Sequence, residues 1–167
     1  MNISLRALCV QDGYDVYEML QRIPPEENGF MNAMAGKSLE DFSAWLIRQE
    51  ASARKTEIED GWRVPQAVFW LYAGDKPVGM GKLRYLLTDA LRFSGGHIGY
   101  AVVPEERGKG YGKQLLRHLL GEAKRRSISP VLVTIHKDNA ASIATALTCG
   151  GRITDEDDQR VRIWFNT

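Results

Sequence analysis

The most informative segment of the chain is Tyr100-Ala-Val-Val-Pro-Glu-Glu-Arg-Gly-Lys-Gly-Tyr-Gly-Lys113. In this segment an apolar strand ends at Pro104, a loop with three glycines follows, and an amphipathic helix begins directly afterwards. The start of a helix carries backbone N–H groups without partners and the positive end of the helix dipole. Because both features attract anions, the segment predicts a binding site for a phosphate or pyrophosphate group.

The composition of the loop supports this interpretation. Three residues lack a Cβ that would keep a ligand away from the backbone; they are Gly108, Gly110 and Gly112. Three basic side chains add charge that is most effective in direct contact with phosphate oxygens; they are Arg107, Lys109 and Lys113. The loop is therefore expected to combine close backbone approach with positive charge.

Three phosphate-binding patterns compete for the segment. The P-loop requires Ser or Thr after its Gly-Lys pair, but Gln114 follows here, so no hydroxyl is placed to hold Mg²⁺. The dinucleotide fingerprint needs a third glycine where this chain has Lys113 or Leu115, and an antiparallel meander upstream is the wrong setting for it. The third pattern is Arg/Gln-x-x-Gly-x-Gly/Ala, and its fixed positions are Arg107, Gly110 and Gly112.

Hydrophobic periodicity gives the order of the remaining elements. A short strand and two helices come first, with a loop from Glu26 to Gly36 between the helices. An antiparallel meander of three strands follows, and the chain then continues strand, helix, strand, helix and strand. This order predicts a mixed sheet with helices on its faces.

The segment after Pro104, preceded by a strand that ends Val-x-Pro-Glu, resembles motif A of the GNAT superfamily of N-acetyltransferases. The likeness continues in register through Leu115-Leu116, the strand Val131–Ile135 and the stretch Asp138–Gly151, which resembles motif B. The order of elements in the N-terminal third is compatible with the same superfamily. The overall pattern is similar to a bacterial branch of predicted acetyltransferases that implies no particular substrate.

The resemblance implies a fold and a reaction. The fold is of the α/β (α+β) class, a mixed and mostly antiparallel sheet flanked by helices on both faces, with residues 1–167 forming one domain. The reaction is direct transfer of an acetyl group from acetyl-CoA to a primary amine of a small molecule or peptide. The residues implied in acetyl-CoA binding are Tyr100, Ala101, Val102, Arg107, Gly108, Lys109, Gly110, Tyr111, Gly112, Lys113, Asn139 and Ser142.

Each group of these residues has an implied role. The strand 100–102 should separate from its neighbour, so that its free backbone groups pair with the pantetheine amides. A free N–H near Val102 would then stabilise the oxyanion that forms as the amine attacks. Amides from Gly108 to Lys113 would hold the pyrophosphate. Asn139 would bond the pantetheine arm, cap the following helix, or do both.

The chain departs from the superfamily at both positions that commonly carry acid–base chemistry. Ala146 stands where many members have a tyrosine acid, and Thr134 stands where some have a glutamate base. Histidine is then the best candidate for a base that works near neutral pH. His136, at the end of a strand beside the predicted site, and His97, at the start of the strand that contacts the cofactor, are the two candidates. A water chain without a dedicated base, or a catalytically idle acyl-CoA-binding sensor, is the alternative.

The acceptor side is less defined by the sequence. In this superfamily the acceptor site is usually built from the first two helices and the loop between them. The candidates there for recognising a cation are Glu26, Glu27, Asn28 and Phe30. The carboxylates fit a solvated surface loop equally well.

Composition and charge exclude several classes of protein. The 167 residues suit one domain, and 44% hydrophobic with 26% charged residues is an ordinary globular balance. A net charge of +1 gives no electrostatic case for nucleic acid, and no run approaches the ~20 apolar residues that span a membrane. Cys9 and Cys149 lack the spacing of a metal site and predict free thiols in a cytoplasmic protein without a metal. The sequence leaves open whether the protein forms a homodimer.

Overall fold

A computed structural model describes all residues from 1 to 167. The strands are β1 (Ile3–Ala7), β2 (Glu26–Glu27), β3 (Phe30–Met31), β4 (Gln66–Ala73), β5 (Lys76–Arg84), β6 (Ile98–Val102), β7 (Val131–His136), β8 (Arg152–Glu156) and β9 (Arg160–Phe165). The helices are α1 (Tyr14–Arg22), α2 (Leu39–Ser52), α3 (Asp89–Phe93), α4 (Tyr111–Arg125) and α5 (Ala140–Thr148). A 3₁₀ turn over Pro104–Glu106 leads from β6 toward α4.

The strands form two main antiparallel sheets. The first has the order β1-β4-β5-β6, and the second has the order β7-β9-β8. Helices α1 and α2 contribute to one hydrophobic cluster, and α4 with α5 contributes to the other. The predicted mostly antiparallel sheet with helices on both faces is therefore confirmed.

Two glycines of β5 set the distance between the first sheet and α4. A Cβ at Gly79 would lie 3.2 Å from Leu115 Cδ2, and one at Gly81 would lie 2.7 Å from Leu119 Cδ1. Side chains alternate along a strand, so Met80 points to the opposite face, where it joins the cluster formed with α1 and α2. We call these two faces the α4 side and the α1 side.

The segment predicted as a loop from Glu26 to Gly36 contains the small hairpin of β2 and β3. Its turn residues, Asn28 and Gly29, have φ values of 51° and 84°. An Asn-Gly pair with positive φ at both positions is the preferred two-residue hairpin turn. The loop assignment was wrong over these residues. Helix α3, which begins after the N-cap Thr88, was also missed.

The two main sheets meet at one end of β6 and β7. His97 N–H donates to Leu132 O at 2.8 Å, and Leu132 N–H donates to His97 Nδ1 at 2.9 Å. No strand pairing joins β6 to β7 beyond this point. Gly96, with φ of 59°, brings the chain into this junction. The strands are therefore connected at their beginnings and separate toward Val102 and His136.

Replacing Gly96 by alanine should weaken the junction. The new Cβ would lie 2.5 Å from Leu132 O, so either β7 or the loop must move. Gly74→Ala is the matched control, because φ there is 63° and nothing lies within 4 Å of the new Cβ. We expect the control to lose about 1–2 kcal/mol of unfolding free energy from its left-handed φ. We expect Gly96→Ala to lose at least about 1 kcal/mol more. Urea denaturation followed by circular dichroism measures both, and equal losses would contradict the prediction.

Candidate functional site

A cleft of about 600 Å³ lies where β6 and β7 separate. Its walls include the β2–β3 hairpin, the C-terminal half of β5, the separated strands β6 and β7, and the starts of α4 and α5. Of the residues predicted to bind the cofactor, only Lys109 does not line the cleft; those that do are Tyr100, Ala101, Val102, Arg107, Gly108, Gly110, Tyr111, Gly112, Lys113, Asn139 and Ser142.

The edge of β6 that faces the cleft has free backbone groups. Val103 N–H donates to Val78 O at 3.0 Å on the β5 side. Backbone hydrogen bonds are made at every second residue along an antiparallel strand, so the backbone groups of Ala101, opposite Met80, also hydrogen-bond to β5. Tyr100 and Val102 direct their N–H groups the other way, into the cleft. This edge can therefore accept an extended ligand as an added strand.

The start of α4 is a row of unpaired amides. No backbone N–H from 108 to 113 donates to a protein group, and the first such bond in the helix is Gln114 N–H to Gly110 O at 3.2 Å. Gly110 occupies the N-cap position at φ of 85° and Gly108 has φ of 77°. A Cβ on either glycine would meet nothing within 4 Å. No side chain caps the helix, so the amides and the helix dipole face the cleft.

Two of the predicted phosphate contacts are used within the protein instead. Arg107 forms a bidentate ion pair with Glu27, at 2.7 and 3.1 Å, and its Nε donates to Val102 O at 3.1 Å. Lys109 Nζ donates to Glu106 Oε2 at 2.7 Å. Both side chains hold the loop in place, which leaves Lys113 as the basic side chain at the helix start without an ion pair.

The first turn of α5 completes the α4 side of the cleft. Asn139 Oδ1 accepts the Ser142 N–H at 3.2 Å and so caps α5. The Tyr100 hydroxyl donates to Ser142 Oγ at 3.4 Å, and burial raises the pKa of this phenol. The amide nitrogen of Asn139 makes no bond within the protein and lines the cleft. Asn139 therefore has a capping role and a free donor.

The α1 side of the cleft carries cationic side chains. Lys82 and Arg84 stand two and four residues after Met80 on β5, so their side chains point to the same face as Met80, the α1 side. On the second sheet Arg160 lies directly opposite His136, and both line the cleft. Sequence reasoning missed Lys82. The available signal was two basic residues at alternate positions of an otherwise apolar strand.

His136 is the predicted base that reaches the cleft. It lies on β7 next to the hairpin turn, where a Cβ on Gly29 would lie 3.0 Å from its Nε2. This Nε2 is buried and has no hydrogen-bond partner. Nδ1 also makes no hydrogen bond within the protein and is not among the buried nitrogens, so it is the ring atom that a substrate proton could reach.

The structure removes His97 from the candidates for a base. His97 is buried, does not line the cleft, and accepts the Leu132 N–H through Nδ1. Burial, with the charges of Arg92 and Arg84 as smaller causes, lowers the pKa of His97 to about 4. Its role is to connect the two sheets.

The candidate carboxylates for cation recognition are also committed. Glu27 holds Arg107, and Glu26 Oε1 accepts the Gly29 N–H at 2.7 Å within the hairpin. Phe30 packs beneath Lys82, whose Nζ lies 4.6 Å from the ring centroid. Glu26 does not line the cleft and Glu27 is paired, so a cation in the cleft would find no unpaired carboxylate of this hairpin.

A sequence profile of the Acetyltransferase (GNAT) family matches residues 32–150. These residues include the first turn of α5 and the row of unpaired amides at 108–113, which we call the cradle. This chain belongs to the GNAT acetyltransferase family. It is thus an acyltransferase by family, and the predicted resemblance is confirmed. No curated protein matches the chain.

Solved structures of GNAT proteins share the fold at low sequence identity. A putative acetyltransferase YncA from Salmonella typhimurium, with acetyl-CoA, has a TM-score of 0.65 at 17% identity over 98% of this chain and 93% of that one. RimL, a ribosomal L7/L12 α-N-protein acetyltransferase in complex with coenzyme A, has a TM-score of 0.72 at 14% identity, with the same coverages. The N-acetyltransferase PseH from Campylobacter jejuni, in complex with acetyl coenzyme A, has a TM-score of 0.63 at 11% identity over 99% of both chains.

No helix combines the length and the apolar character needed to cross a membrane. No group of three or more His, Cys, Asp or Glu side chains is arranged to hold a metal ion.

The junction histidine should give the stability of this GNAT protein a defined pH dependence. The folded protein keeps His97 neutral down to about pH 4, whereas the unfolded chain takes up the proton near the ordinary pKa of 6.5. This contribution to stability is therefore fully present above pH 6.5 and falls as the pH drops toward 4. His97→Gln keeps an acceptor for Leu132 N–H but does not titrate. We expect its unfolding free energy, from urea titrations across this pH range, to fall less steeply than that of the wild type. Parallel pH profiles would contradict the prediction.

Proposed function

We propose that this protein transfers an acetyl group from acetyl-CoA directly to a primary amine of a small molecule or peptide. The observation that carries the proposal is the meeting of two features in one cleft: the free edge of β6 and the uncapped start of α4. One can pair with an amide-bearing chain and the other with a pyrophosphate. Acetyl-CoA contains both groups joined to a thioester.

The residues present fit acetyl-CoA. The amides at 108–113 supply a concave row of donors for the pyrophosphate, and the open space beside Gly108 and Gly110 admits a ligand close to the backbone. The Tyr100 and Val102 N–H groups offer bonds along the β6 edge. A backbone N–H fixed by a strand needs no reorganisation to stabilise a developing oxyanion. Val102 N–H is our candidate for that role.

Direct transfer is favoured over a covalent enzyme intermediate. Cys149 does not line the cleft, its Sγ lies 4.0 Å from Lys113 O, and burial raises the pKa of its thiol. A nucleophilic cysteine needs the thiolate form and access to the substrate. Attack by the amine itself is the remaining route.

His136 is the base we assign to that attack. An amine must lose a proton to acylate, and His136 is the histidine in the cleft whose ring makes no hydrogen bond with the protein. The oxygen of Thr134, on the same face of β7, is occupied by the Gly95 N–H at 2.9 Å. Thr134 therefore does not replace the missing carboxylate base.

Thiol release from acetyl-CoA in the presence of a panel of amines tests the activity. Turnover that depends on an added amine supports the proposal. Saturable binding of acetyl-CoA with no thiol release on any amine would contradict it and would favour the sensor.

Gly110→Val tests the backbone cradle. The side chain would fill the space beside the unpaired amides, so we expect acetyl-CoA affinity to fall at least tenfold, roughly 1.4 kcal/mol or more. Gly150→Val is the matched control, because Gly150 has a similar φ of 94°, equally open surroundings and no place in the cleft. Isothermal titration measures both, with circular dichroism as the check on folding. Equal affinities in the two variants would rule out the cradle.

His136→Ala tests the base. General base catalysis typically contributes 10²–10⁴-fold, so we expect kcat to fall by at least about tenfold. The acidic limb of the pH–rate profile should disappear with the imidazole. His118→Ala, at a histidine of α4 outside the cleft, should keep the wild-type profile. A wild-type profile in the His136 variant would transfer the role to water or another group.

A further inference from the structure

The charges that line the cleft are unbalanced. Five basic side chains reach it, at Lys82, Arg84, Arg107, Lys113 and Arg160, but Glu27 is its one carboxylate. Glu27 is taken by Arg107, and Lys113 lies at the phosphate cradle. Three cations on the α1 side are therefore left without any carboxylate within ion-pair distance.

These three cations retain donors for a ligand. Lys82 Nζ donates once, to Met31 O at 2.6 Å, and an ammonium has three N–H groups. Arg84 donates through Nη1 alone, to the backbone carbonyls of Gly95 and Gly96 at 3.2 and 3.3 Å.

On the opposite sheet Arg160 bonds a neutral amide, Gln159 Oε1, at 3.3 Å. Carbonyl oxygens and an amide satisfy hydrogen bonds but do not neutralise charge.

The environment of Lys82 is costly for a cation. Burial, and secondarily the charge of Arg84, lower the pKa of Lys82 to about 8. Burial also lowers the pKa of Arg84. Buried charges are normally paired, and half-buried like charges side by side repel. An anion bound between them would offset both costs.

The cations lie apart from the phosphate cradle. Lys82 and Arg84 point to the α1 side of β5. Arg160 of β9 pairs with His136 of β7, and both side chains lie on the same face of the second sheet. The amides at 108–113 belong to the start of α4, on the other side of the sheet. Pyrophosphate bound at the helix start would therefore not supply the missing negative charge.

We propose that the acceptor amine carries an anionic oxygen group, a carboxylate or a phosphate, and that Lys82, Arg84 and Arg160 bind this group on the α1 side of the cleft. The inference rests on the proposed acetyl transfer, since it describes the substrate of that same site. It reverses the expectation of a cation-binding acceptor loop. It also accounts for His136 as the base, because the amine of a substrate whose anionic group is bound by these cations would lie on the α1 side, where His136 lies.

Matched pairs of amines test the charge preference. Each L-amino acid is compared with its own carboxamide, and O-phosphoethanolamine is compared with ethanolamine, by thiol release from acetyl-CoA. We expect kcat/KM to be at least about tenfold higher for the anionic member of the pairs that are turned over. The pair with the larger ratio distinguishes carboxylate from phosphate. Equal rates, or a preference for the neutral members, would overturn the anion site while leaving acetyl transfer intact.

Two variants connect the preference to the residues. Lys82→Met and Arg160→Met remove charge but keep much of the side-chain length, whereas Arg84 is left in place because it also holds the 95–96 carbonyls. We expect each variant to raise KM for the anionic amine by at least about tenfold and to leave its neutral partner little changed. Lys124→Met, at an exposed lysine of α4, is the control. A loss equal for both members of a pair would contradict direct recognition of the anion.

A binding measurement keeps the two proposals separable. The protein saturated with CoA is titrated calorimetrically with N-acetyl-L-amino acids, their carboxamides and N-acetyl-O-phosphoethanolamine. Tighter binding of the anionic compounds, lost in Lys82→Met, supports the anion site even if no amine is acetylated. Absence of binding by every anionic compound, or equal binding of the amides, would overturn it.

Discussion

The separation of β6 from β7 is the constraint on which the rest of the molecule depends. His97 occupies both backbone groups of Leu132, through its own N–H and its imidazole, and so ties the strands at one end. Beyond this tie the β6 edge carries polar groups that need partners. Such an edge would normally be covered or would invite aggregation. Here it faces a cleft beside the uncapped start of α4, so its unsatisfied groups are available to a ligand.

The same separation gives the cleft two chemically different sides. Backbone amides dominate the α4 side, where they bind by geometry and by the helix dipole. Charged side chains dominate the α1 side, where Lys82, Arg84 and Arg160 lie without carboxylates. The pair of Glu27 and Arg107 spans the cleft near the end of β6 and connects the hairpin to the cradle. A donor and an acceptor can therefore approach the β6 edge from opposite sides without competing for the same contacts.

Local patterns in the sequence were enough to predict the fold and the cradle. Gly110 at a strand–helix junction specifies a positive φ and an uncapped helix, and both depend on neighbouring residues alone. The hairpin was missed although Asn28 and Gly29 carry its usual signature. The ion pair between Arg107 and Glu27 joins residues 80 positions apart, so no local pattern could reveal it. For the same reason the partner of His97 could be found only once both strands were in place.

The missing acid matters less than the missing base. Ala146 is fully buried in the α4-side core and carries no group that could take over the role of the tyrosine. A thiol has an ordinary pKa of about 8.5, so a CoA thiolate is a tolerable leaving group near neutral pH without a dedicated acid. An alkylammonium, in contrast, has an ordinary pKa of about 10 and cannot attack until it loses a proton. The requirement for proton transfer therefore falls on the acceptor side, where the uncommitted imidazole of His136 lies. Positive charge on that side also favours the neutral amine over its ammonium form, which assists the same step.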